Sequence, residues 1–569
     1  MTNSRRDFCA ALFAGSALAA MPALAKPRVR RPHIITIVLD DVGYSDIGCF
    51  GAEIRTPHMD RLAREGLRYA HFDTKAVCSS TRAAMLTGRN SHTIGMPDVP
   101  DLVGFLPKGP ERPSFAIPDN AENVAQVLKR EGYATWAVGK WHLIPGQELP
   151  ETAVHKSWPL QRGFDYFYGF ARGWTDQYKP ALVENDRYLK RDFEESYHLS
   201  ADLVDKAVAL VTDHAAKRSD QPFFLNLGFG AAHGPLQVPR EYSAKYDAVY
   251  ARGWDKIRSE RFARMKRMGI LPQSTLLPPR EGSDRAWDDL TPDEKTVFAR
   301  YMAVYAGFIE HCDEHIGRLL TRLDELGLTQ NTLVVLLSDN GAASEAGQEG
   351  EFDGLYRPNT LSPAEQLRRI DELGTGKTQA EKPRPWAMVG NTPLRRYKLW
   401  PYSGGTRTPM VVRWPEGTGQ AGAIRRQFVD VVDIGPTLLA AAGTSFPVTV
   451  NGVAQVPVAG RSFLPTFRSA NAPGRQVQFF ELRGNRAITS GKWRAVAMHD
   501  CGTPFEADKW SLFDLSRDFS EAVDVADTFP HVVEQMKALW QSEWAKYGGG
   551  GPLREPLSIL CTSGGALVR

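Results

Sequence analysis

Apolar runs alternate with segments of helical periodicity through the first three quarters of the chain, and the first run is rich in β-branched residues. Such apolar runs are typical of strands that are buried on both faces. They lie at residues 33–39, 134–138, 223–229, 332–337 and 410–414. Helical patterns lie between the runs, at residues 56–66, 83–88, 119–132, 201–217 and 291–327. Three of them, 56–66, 119–132 and 291–327, open at a polar residue or Pro and close at Gly. The alternation predicts an α/β fold with one large, mostly parallel sheet and helices on both faces.

The pattern changes near Pro447, where shorter segments of mixed polarity begin. Residues 476–482, 486–488, 492–498 and 510–515 predict short antiparallel strands, and residues 529–547 contain a predicted helix. We therefore expect a main domain over residues 26–446 and a small α+β subdomain over residues 447–569.

Two long segments of the main domain lack the regular alternation. Residues 239–290 are rich in Arg and Trp, and residues 342–392 are rich in Gly, Pro and charged residues. Irregular insertions in α/β folds often shape a substrate pocket, although many are inert.

The first 25 residues follow the order of an export signal. Arg5 and Arg6 precede an apolar stretch at residues 8–21, and residues 23–25 offer a small-residue cleavage site. The paired arginines resemble the twin-arginine signal with which bacteria export folded proteins. No segment reaches the roughly 18 apolar residues that a membrane span needs. We expect a periplasmic or secreted mature chain without a membrane span, exported by the twin-arginine machinery.

The composition excludes several classes of protein. With 42% hydrophobic and 24% charged residues, the chain of 569 residues is not disordered, collagen-like or a coiled coil. Its net charge of +3 offers no general basic field, so nucleic acid is not an expected partner. Six cysteines are too few for a disulfide scaffold in a chain of this length, and their pairing cannot be read from the sequence.

Polar side chains follow two of the predicted strands directly. Asp40 and Asp41 come after the first strand, and Asp339 and Asn340 come after the strand at residues 332–337. Sites in open α/β sheets form beyond the carboxyl ends of strands, where these side chains would converge. Their oxygen atoms suit Ca²⁺ or Mg²⁺ rather than zinc. Taken alone, each pair is more typical of a loop cap or a turn.

A cysteine and two histidines complete the candidate chemistry. Cys78 lies at the start of a predicted helix, where backbone N–H groups lower a thiol pKa and attract anions, and Arg82 would face the same side. Lys140 and His142 follow another strand, and His233 follows a third. By itself, a lone cysteine is more often a small buried hydrophobe.

Several sequence blocks resemble the signatures of the sulfatase family. The likeness rests on Thr56 to Leu62, Cys78 to Arg89 and Gly132 to His142. Further blocks follow in the family's order: Asp40-Asp41, His233 to Gln237, Ser338 to Gly341, Tyr397-Lys398 and Gly404 to Pro409. The chain is most similar to the bacterial arylsulfatases. The resemblance implies the alkaline-phosphatase-like α/β fold with a small C-terminal sheet, which agrees with the pattern of predicted strands and helices.

The resemblance also implies an activity, the hydrolysis of aryl or alkyl sulfate monoesters. Cys78 would be converted to formylglycine by a formylglycine-generating enzyme. One hydroxyl of the hydrated aldehyde would attack sulfur and the alcohol would leave. Loss of the proton from the other hydroxyl would then expel sulfate and restore the aldehyde. The family's metal ligands correspond to Asp40, Asp41, Asp339 and Asn340, which would hold Ca²⁺, with Mg²⁺ as the alternative.

The remaining site residues take their roles from the same resemblance. Arg82 and Lys140 would stabilise the hydrated group, and Lys140 and Lys398 would hold the sulfate oxygens. His233 would protonate the leaving oxygen, and His142 would accept the proton in the elimination step.

One position departs from the family, and two other functions compete. The family's modification motif has Pro two residues after the cysteine, where this chain has Ser80. Serine is well suited to a helix start, so we expect the fold to tolerate it. The competing functions are a phosphodiester or phosphonate monoester hydrolase, and a non-catalytic, anion-binding homologue with unmodified Cys78. A complete set of acid–base residues argues against the last.

Overall fold

The computed structural model describes residues 31–104, 113–218, 220–355 and 359–550, residue 553, and the pairs 562–563 and 566–567. The predicted export signal at residues 1–25 lies outside these ranges. The strands up to residue 550 are β1 (His33–Leu39), β2 (Leu67–Tyr69), β3 (Phe72–Asp73), β4 (Ala134–Lys140), β5 (Tyr166–Phe170), β6 (Val183–Glu184), β7 (Arg187–Tyr188), β8 (Phe223–Gly228), β9 (Thr332–Ser338), β10 (Met410–Arg413), β11 (Ala423–Arg425), β12 (Val429–Asp430), β13 (Thr449–Val450), β14 (Val453–Ala454), β15 (Val477–Leu482), β16 (Asn485–Ser490), β17 (Trp493–Ala497) and β18 (Trp510–Asp514). The α-helices are α1 (Pro57–Glu65), α2 (Cys78–Thr87), α3 (Val124–Arg130), α4 (Leu199–Lys217), α5 (Arg240–Ser243), α6 (Asp247–Tyr250), α7 (Trp254–Arg267), α8 (Pro292–Glu325), α9 (Pro363–Arg368), α10 (Arg384–Gly390), α11 (Ser403–Thr406), α12 (Ile434–Ala441) and α13 (Pro530–Tyr547).

A ten-stranded sheet forms the centre of the protein, in the order β11-β2-β10-β9-β1-β8-β4-β5-β6-β7. Its middle strands, β9, β1, β8, β4 and β5, are parallel, while β10 runs antiparallel to β9. The mostly parallel sheet expected from the alternating pattern is therefore confirmed.

The two faces of this sheet lie in separate hydrophobic cores. Ile35 and Ile37 on β1 belong to the core that includes α4 and α8. Ile34 and Val38, which point to the opposite face, belong to the core that includes α2, α3 and α12. Because side chains alternate along a strand, a fully apolar β1 is what a sheet with helices on both faces requires.

Most predicted element boundaries lie close to the observed ones. Residues 83–88 continue the helix entered at Cys78, as predicted: α2 spans Cys78–Thr87 and is capped by Gly88 in a left-handed conformation. The helix predicted from residue 119 begins only at Val124, because Asn123 and Gln126 form a capping box there. The sequence pattern did not predict β2 or β5.

A smaller α+β unit lies at the C-terminal end of the chain, as expected. Strands β15 to β18 form an antiparallel sheet with neighbours in chain order. Helix α13 covers one face, where Trp510 and Trp540 are in one hydrophobic core. The exact division near residue 447 stays a prediction.

The first insertion corrects the expectation of an irregular segment. Residues 239–290 include helices α5, α6 and α7. Arg261 on α7 is fully buried and forms salt bridges of 2.6 Å with both Asp46 and Glu53, in the segment that follows β1. Trp254 and Trp287 pack edge to face in the same region. The Arg and Trp content of this insertion therefore serves packing and support of that segment.

Histidines 311 and 315 on α8 have a spacing that resembles a zinc-binding pair. Both are buried, and their Nε2 atoms lie 3.1 Å apart. Both histidines pack within the protein. None of the helices in the described ranges is both long enough and apolar enough to cross a membrane.

Candidate functional site

The carboxyl ends of the central strands lie side by side because their registers align. Leu39 at the end of β1 pairs with Ser338 at the end of β9, and Gly228 at the end of β8 pairs with both Val38 and Gly139. The residues that come next in the chain therefore emerge at one edge of the sheet, as expected for a site in this class of fold.

Three carboxylates converge at this edge. Asp40, Asp41 and Asp339 are completely buried, and one oxygen atom of each lies within 4.8 Å of the others. Burial of three like charges at such distances is unfavourable unless positive charge neutralises them. Burial and the neighbouring Asp40 raise the pKa of Asp339 above its ordinary value.

Each carboxylate is paired with one predicted cationic residue. Lys140 Nζ lies 2.7 Å from Asp40 Oδ2, and Lys398 Nζ lies 2.9 Å from Asp41 Oδ2. The Nε atom of Arg82 donates to Asp339 Oδ2 at 2.9 Å. Although burial would raise the pKa of Asp41, Lys398, His233 and Lys140 hold it well below its ordinary value. The structure thus brings together all three cations that the sequence analysis selected.

Two buried oxygen atoms in this cluster are available as ligands for a cation. Asp40 Oδ1 and Asn340 Oδ1 have no hydrogen-bond partner among the described residues. The amide nitrogen of Asn340 donates to Asp41 Oδ1 at 2.6 Å, which keeps the amide beside the carboxylates. Oxygen atoms that are buried and unpaired are costly unless a ligand satisfies them. The four predicted ligand residues therefore fit a hard divalent cation such as Ca²⁺ or Mg²⁺.

Cys78 faces this cluster from the first position of α2. Its residue is 2% exposed, and the backbone at Val77 is extended before the helix begins. Burial would raise the pKa of the Cys78 thiol, but Lys140 and His142 more than offset this and hold it below its ordinary value. A helix N-terminus and two cations make this position electropositive, as an attacking group near an anionic ester requires.

Ser80 fits the first turn of α2, at the position where the family's motif has proline. It is buried in the first turn of α2, and its hydroxyl donates to the backbone oxygen of Met96 at 2.9 Å. The helix start therefore tolerates serine, as expected.

His142 lies against Cys78 and has a second partner that the sequence did not suggest. Its Nδ1 atom is 3.2 Å from Cys78 Sγ, and its Nε2 atom is 2.7 Å from Asp101 Oδ2. Burial would lower the pKa of His142, but Cys78 and Asp101 raise it to about 9. Asp101 lies in a short 3-10 helix, Pro100–Gly104, outside every predicted element.

Backbone conformation and a glycine help to place the imidazole. His142 has a left-handed backbone, with φ 56°, and Asp41 has one with φ 58°. Non-glycine residues in this region are uncommon and concentrate at functional sites. A Cβ atom on Gly173 would lie 2.6 Å from Cε1 of His142, so only glycine allows the chain to pass the ring this closely.

His233 lies on the other side of the carboxylate cluster. Its Nε2 atom is 3.7 Å from Asp41 Oδ2, and its Nδ1 atom is 2.7 Å from the backbone oxygen of Gly234. Burial is the largest cause of a lowered pKa for His233, to about 4, and Lys398 and Lys140 lower it further against the opposing effect of Asp41.

Glu345 is a second site residue that the sequence analysis missed. Its Oε1 atom lies 3.0 Å from Lys398 Nζ, and both side chains are largely buried. Glu345 falls in the segment predicted as an irregular insertion, where no periodic pattern singles out one acidic residue. Lys398 is therefore held between Asp41 and Glu345 at the rim of the cluster.

Comparison with known proteins gives this arrangement a family. The family model described as Sulfatase matches residues 32–444, and the model described as N-sulphoglucosamine sulphohydrolase, C-terminal, matches residues 396–544. The chain belongs to the sulfatase family. It is a sulfuric ester hydrolase, and its relatives support hydrolysis of sulfate esters.

Two relatives and one solved structure resemble the chain over most of its length. An uncharacterized sulfatase of Schizosaccharomyces pombe is 30% identical over 530 residues, which are 90% of this chain and 93% of that one. The arylsulfatase of Klebsiella aerogenes is 32% identical over 424 residues, 73% and 87% of the two chains. The crystal structure of Ps i-CgsB with k-i-k-neocarrahexaose has a TM-score of 0.61 at 24% identity, covers 92% of this sulfatase and 95% of its own chain, and shows the same fold.

Proposed function

We propose that this sulfatase hydrolyses sulfate monoesters of aryl or alkyl alcohols, with formylglycine at position 78 and a divalent cation held by Asp40, Asp41, Asp339 and Asn340. One observation carries the proposal. Cys78 lies at the N-terminus of α2, its sulfur is 3.2 Å from a histidine, and Lys140 and His142 both lower the pKa of its thiol. This is the place where an attacking group and an anionic ester would meet.

The cation would neutralise the three buried carboxylates and polarise a sulfate oxygen when bound, which is Lewis-acid catalysis. The two unpaired oxygens, Asp40 Oδ1 and Asn340 Oδ1, support a hard ion there. We assign Ca²⁺, as the resemblance to the family implies, and Mg²⁺ is the alternative. Both ions take oxygen ligands, and they differ mainly in the size and flexibility of the site that they need.

A formylglycine at position 78 would, once hydrated, supply two hydroxyls on one carbon. One would attack sulfur as the alcohol leaves, and deprotonation of the other would release sulfate and restore the aldehyde. Arg82 lies one turn after position 78 on α2. Its hydrogen bond to Asp339 fixes its charge beside position 78. Lys140 and Lys398, each paired with a ligand carboxylate, would hold sulfate oxygens. These cations are ordered before substrate arrives, which lowers the cost of stabilising charge in the transition state.

His233 is the proposed donor to the leaving oxygen. Its Nδ1 atom faces a backbone oxygen, so the N–H that serves the leaving group must be on Nε2. Lys398 and Lys140 oppose protonation of the imidazole in the free enzyme. A bound sulfate ester would place negative charge beside these lysines and so favour the protonated form that donation requires.

His142 is the proposed base for the second half of the reaction. Its Nδ1 atom faces position 78, so it can take a proton from a hydroxyl there. This role needs an imidazole that is unprotonated at Nδ1 when the proton moves.

The competing functions remain distinguishable by substrate. Phosphodiesters and phosphonate monoesters suit the same metal and attacking group, and an unmodified Cys78 would leave a protein that only binds anions. A panel of aryl sulfate, alkyl sulfate, sulfated sugar, phosphodiester and phosphonate substrates tests these alternatives. We expect the highest kcat/KM for a sulfate ester. A preference for a phosphorus substrate by tenfold or more would contradict the proposal.

Mass spectrometry of the peptide that contains Cys78 is the second test. Conversion to formylglycine replaces sulfur by oxygen and removes two hydrogens, which gives a clear loss of mass. Cys78→Ala should remove turnover without unfolding the chain, because alanine is a good helix former and the lost thiol is small. Full turnover by a chain that carries only cysteine would refute the formylglycine mechanism.

The maturation route and location follow from the same proposal. We propose export through the twin-arginine machinery to the periplasm or the medium, and conversion of Cys78 by a formylglycine-generating enzyme before folding is complete. N-terminal sequencing of exported protein should begin near Lys26. An exported form that keeps Arg5 and Arg6 would contradict this route.

A further inference from the structure

Asp101 and His142 form a hydrogen-bonded pair directly behind position 78. Asp101 Oδ2 lies 2.7 Å from Nε2 of His142, on the opposite side of the ring from Cys78. The imidazole is buried, with a side chain 5% exposed, whereas the Asp101 side chain is 46% exposed. The carboxylate therefore reaches the ring from the solvent side of the site.

The geometry decides which ring nitrogen carries the proton in neutral His142. An ionised carboxylate only accepts hydrogen bonds, so the nitrogen facing Asp101 must carry hydrogen. Burial would raise the pKa of Asp101, but His142 and then Arg172 lower it to about 2, so it is ionised near neutral pH. Neutral His142 is then protonated at Nε2 and has a free electron pair on Nδ1, toward position 78.

The other groups around the imidazole do not supply this control. Cys78 faces Nδ1 from α2, and Lys140, two residues earlier in the chain, acts on the Cys78 thiol. Arg172 contributes only through its charge on Asp101, and Gly173 lies against the ring without a side chain. Asp101 is thus the one group among the described residues with a hydrogen bond to Nε2.

We infer that Asp101 is a positioning residue of this sulfatase, which holds His142 in the tautomer and orientation that present Nδ1 as the base to position 78. The inference rests on the proposed function for the base role of His142. It adds Asp101 to the residues that serve this function, although the sequence predicted neither a helix nor a strand around Asp101. A carboxylate behind a histidine base also stabilises the imidazolium that forms when the base takes its proton.

Replacement by asparagine removes the charge and keeps the size of the side chain. The amide of Asp101→Asn can turn its NH₂ group toward Nε2, which favours the wrong tautomer with hydrogen on Nδ1. We expect kcat to fall by about 10- to 100-fold, less than the roughly 100- to 10,000-fold contribution of a general base, because His142 itself is still present. The rising limb of the pH profile of kcat should move to lower pH, because the imidazolium has lost its anionic partner. Asp101→Glu should restore much of kcat and return the limb toward its original position.

A second measurement does not depend on turnover. Protein produced without a formylglycine-generating enzyme carries Cys78 as a thiol, and the rate of its alkylation by iodoacetamide reports the thiolate. Asp101 stabilises the imidazolium that pairs with this thiolate. We expect Asp101→Asn to shift the alkylation midpoint to higher pH and to slow alkylation about tenfold below that midpoint, which corresponds to about one pKa unit. Alkylation of Cys78→Ala gives the background rate that comes from other thiols, such as the buried Cys49 and Cys312.

Asp119→Asn is the matched control for both measurements. The Asp119 side chain is 91% exposed, and its nearest cation, Arg162, is 3.5 Å away. We expect this variant to match the parent protein in kcat, pH profile and alkylation.

The outcomes separate the inference from the function on which it rests. A uniform loss of kcat in Asp101→Asn at all pH values, with unchanged alkylation, would show a merely structural role and overturn the inference. Unchanged kcat and unchanged alkylation would overturn it as well. If the parent protein hydrolyses no sulfate ester, the proposed function fails, and the alkylation profile still decides whether Asp101 controls His142.

Discussion

Removal of the Arg261 charge should destabilise the protein more than removal of any surface arginine. Arg261 is fully buried, and Asp46, one of its two partners, is also completely buried. In Arg261→Met, the Asp46 carboxylate keeps, among the residues that the structure describes, the hydrogen bonds from Gly43 N at 3.0 Å and from the Tyr305 hydroxyl at 2.8 Å. A buried charge left without its ion partner costs about 3–5 kcal/mol. We therefore expect a loss of this size in the free energy of unfolding.

Arg252→Met is the control for this prediction. Arg252 pairs with Glu260 at 2.9 Å in the same insertion, but the two side chains are 41% and 33% exposed. Exposed pairs of this kind contribute about 0.2–1 kcal/mol, because water competes with the ion pair. Both variants remove one arginine charge and leave a similar unbranched side chain.

The assay is urea unfolding followed by tryptophan fluorescence, with reversibility checked at each concentration. Comparison of the two midpoints at equal slope gives the difference in free energy. The reasoning would be refuted if Arg261→Met and Arg252→Met lost similar stability, or if Arg261→Met lost less than about 1 kcal/mol. The buried network also approaches the site, since the Tyr305 hydroxyl lies 3.1 Å from the backbone oxygen of Asp41. Folded Arg261→Met should therefore bind the cation more weakly.

Three further predictions concern the site. Asp339→Ala should lose the bound divalent cation and most turnover while the chain stays folded, because the change removes a ligand and frees Arg82. Normal metal content by elemental analysis together with normal kcat would contradict the ligand assignment. Ser80→Pro restores the motif of the family, so it should raise the fraction of formylglycine measured by peptide mass spectrometry. Its circular dichroism spectrum should not change, because proline is tolerated in the first turn of a helix; an unchanged fraction of formylglycine would show that Ser80 does not limit conversion. Trp174 is 37% exposed and directly follows Gly173, which lies against His142, so its ring could stack on the aryl group of a substrate. Trp174→Ala should therefore raise KM for aryl sulfates about tenfold and leave KM for small alkyl sulfates unchanged. Equal effects on both substrates would exclude this stacking.

Helix α2 shows how far local sequence signals reach. The sequence placed Cys78 at a helix start and put Arg82 on the same side, and both features are observed. A helix period and a closing glycine are local properties, so they can be read from neighbouring residues. The same applies to Asp40 and Asp339, which follow buried strands, because parallel strands end at a common edge of the sheet.

The insertions show where local signals stop. Residues 239–290 have no clear alternation, yet they fold into helices whose buried arginine supports the segment after β1. The partner of Arg261 lies at Asp46, 215 positions away in the chain. No periodicity in a short window can report such a contact, because the ion pair depends on how distant helices pack.

The α/β architecture, the sulfatase resemblance and the ten candidate site residues could all be predicted from the sequence, since each rests on a local pattern or on motif blocks. The pairing of each cation with its carboxylate, and the contacts of Asp101 and Glu345 with site residues, depend on how distant segments pack in the fold. Asp101 contacts His142 across 41 positions of chain, and it comes from a short helix that no pattern predicted. Its carboxylate acquires a chemical role only because the fold brings Nε2 of a buried imidazole within 2.7 Å of it.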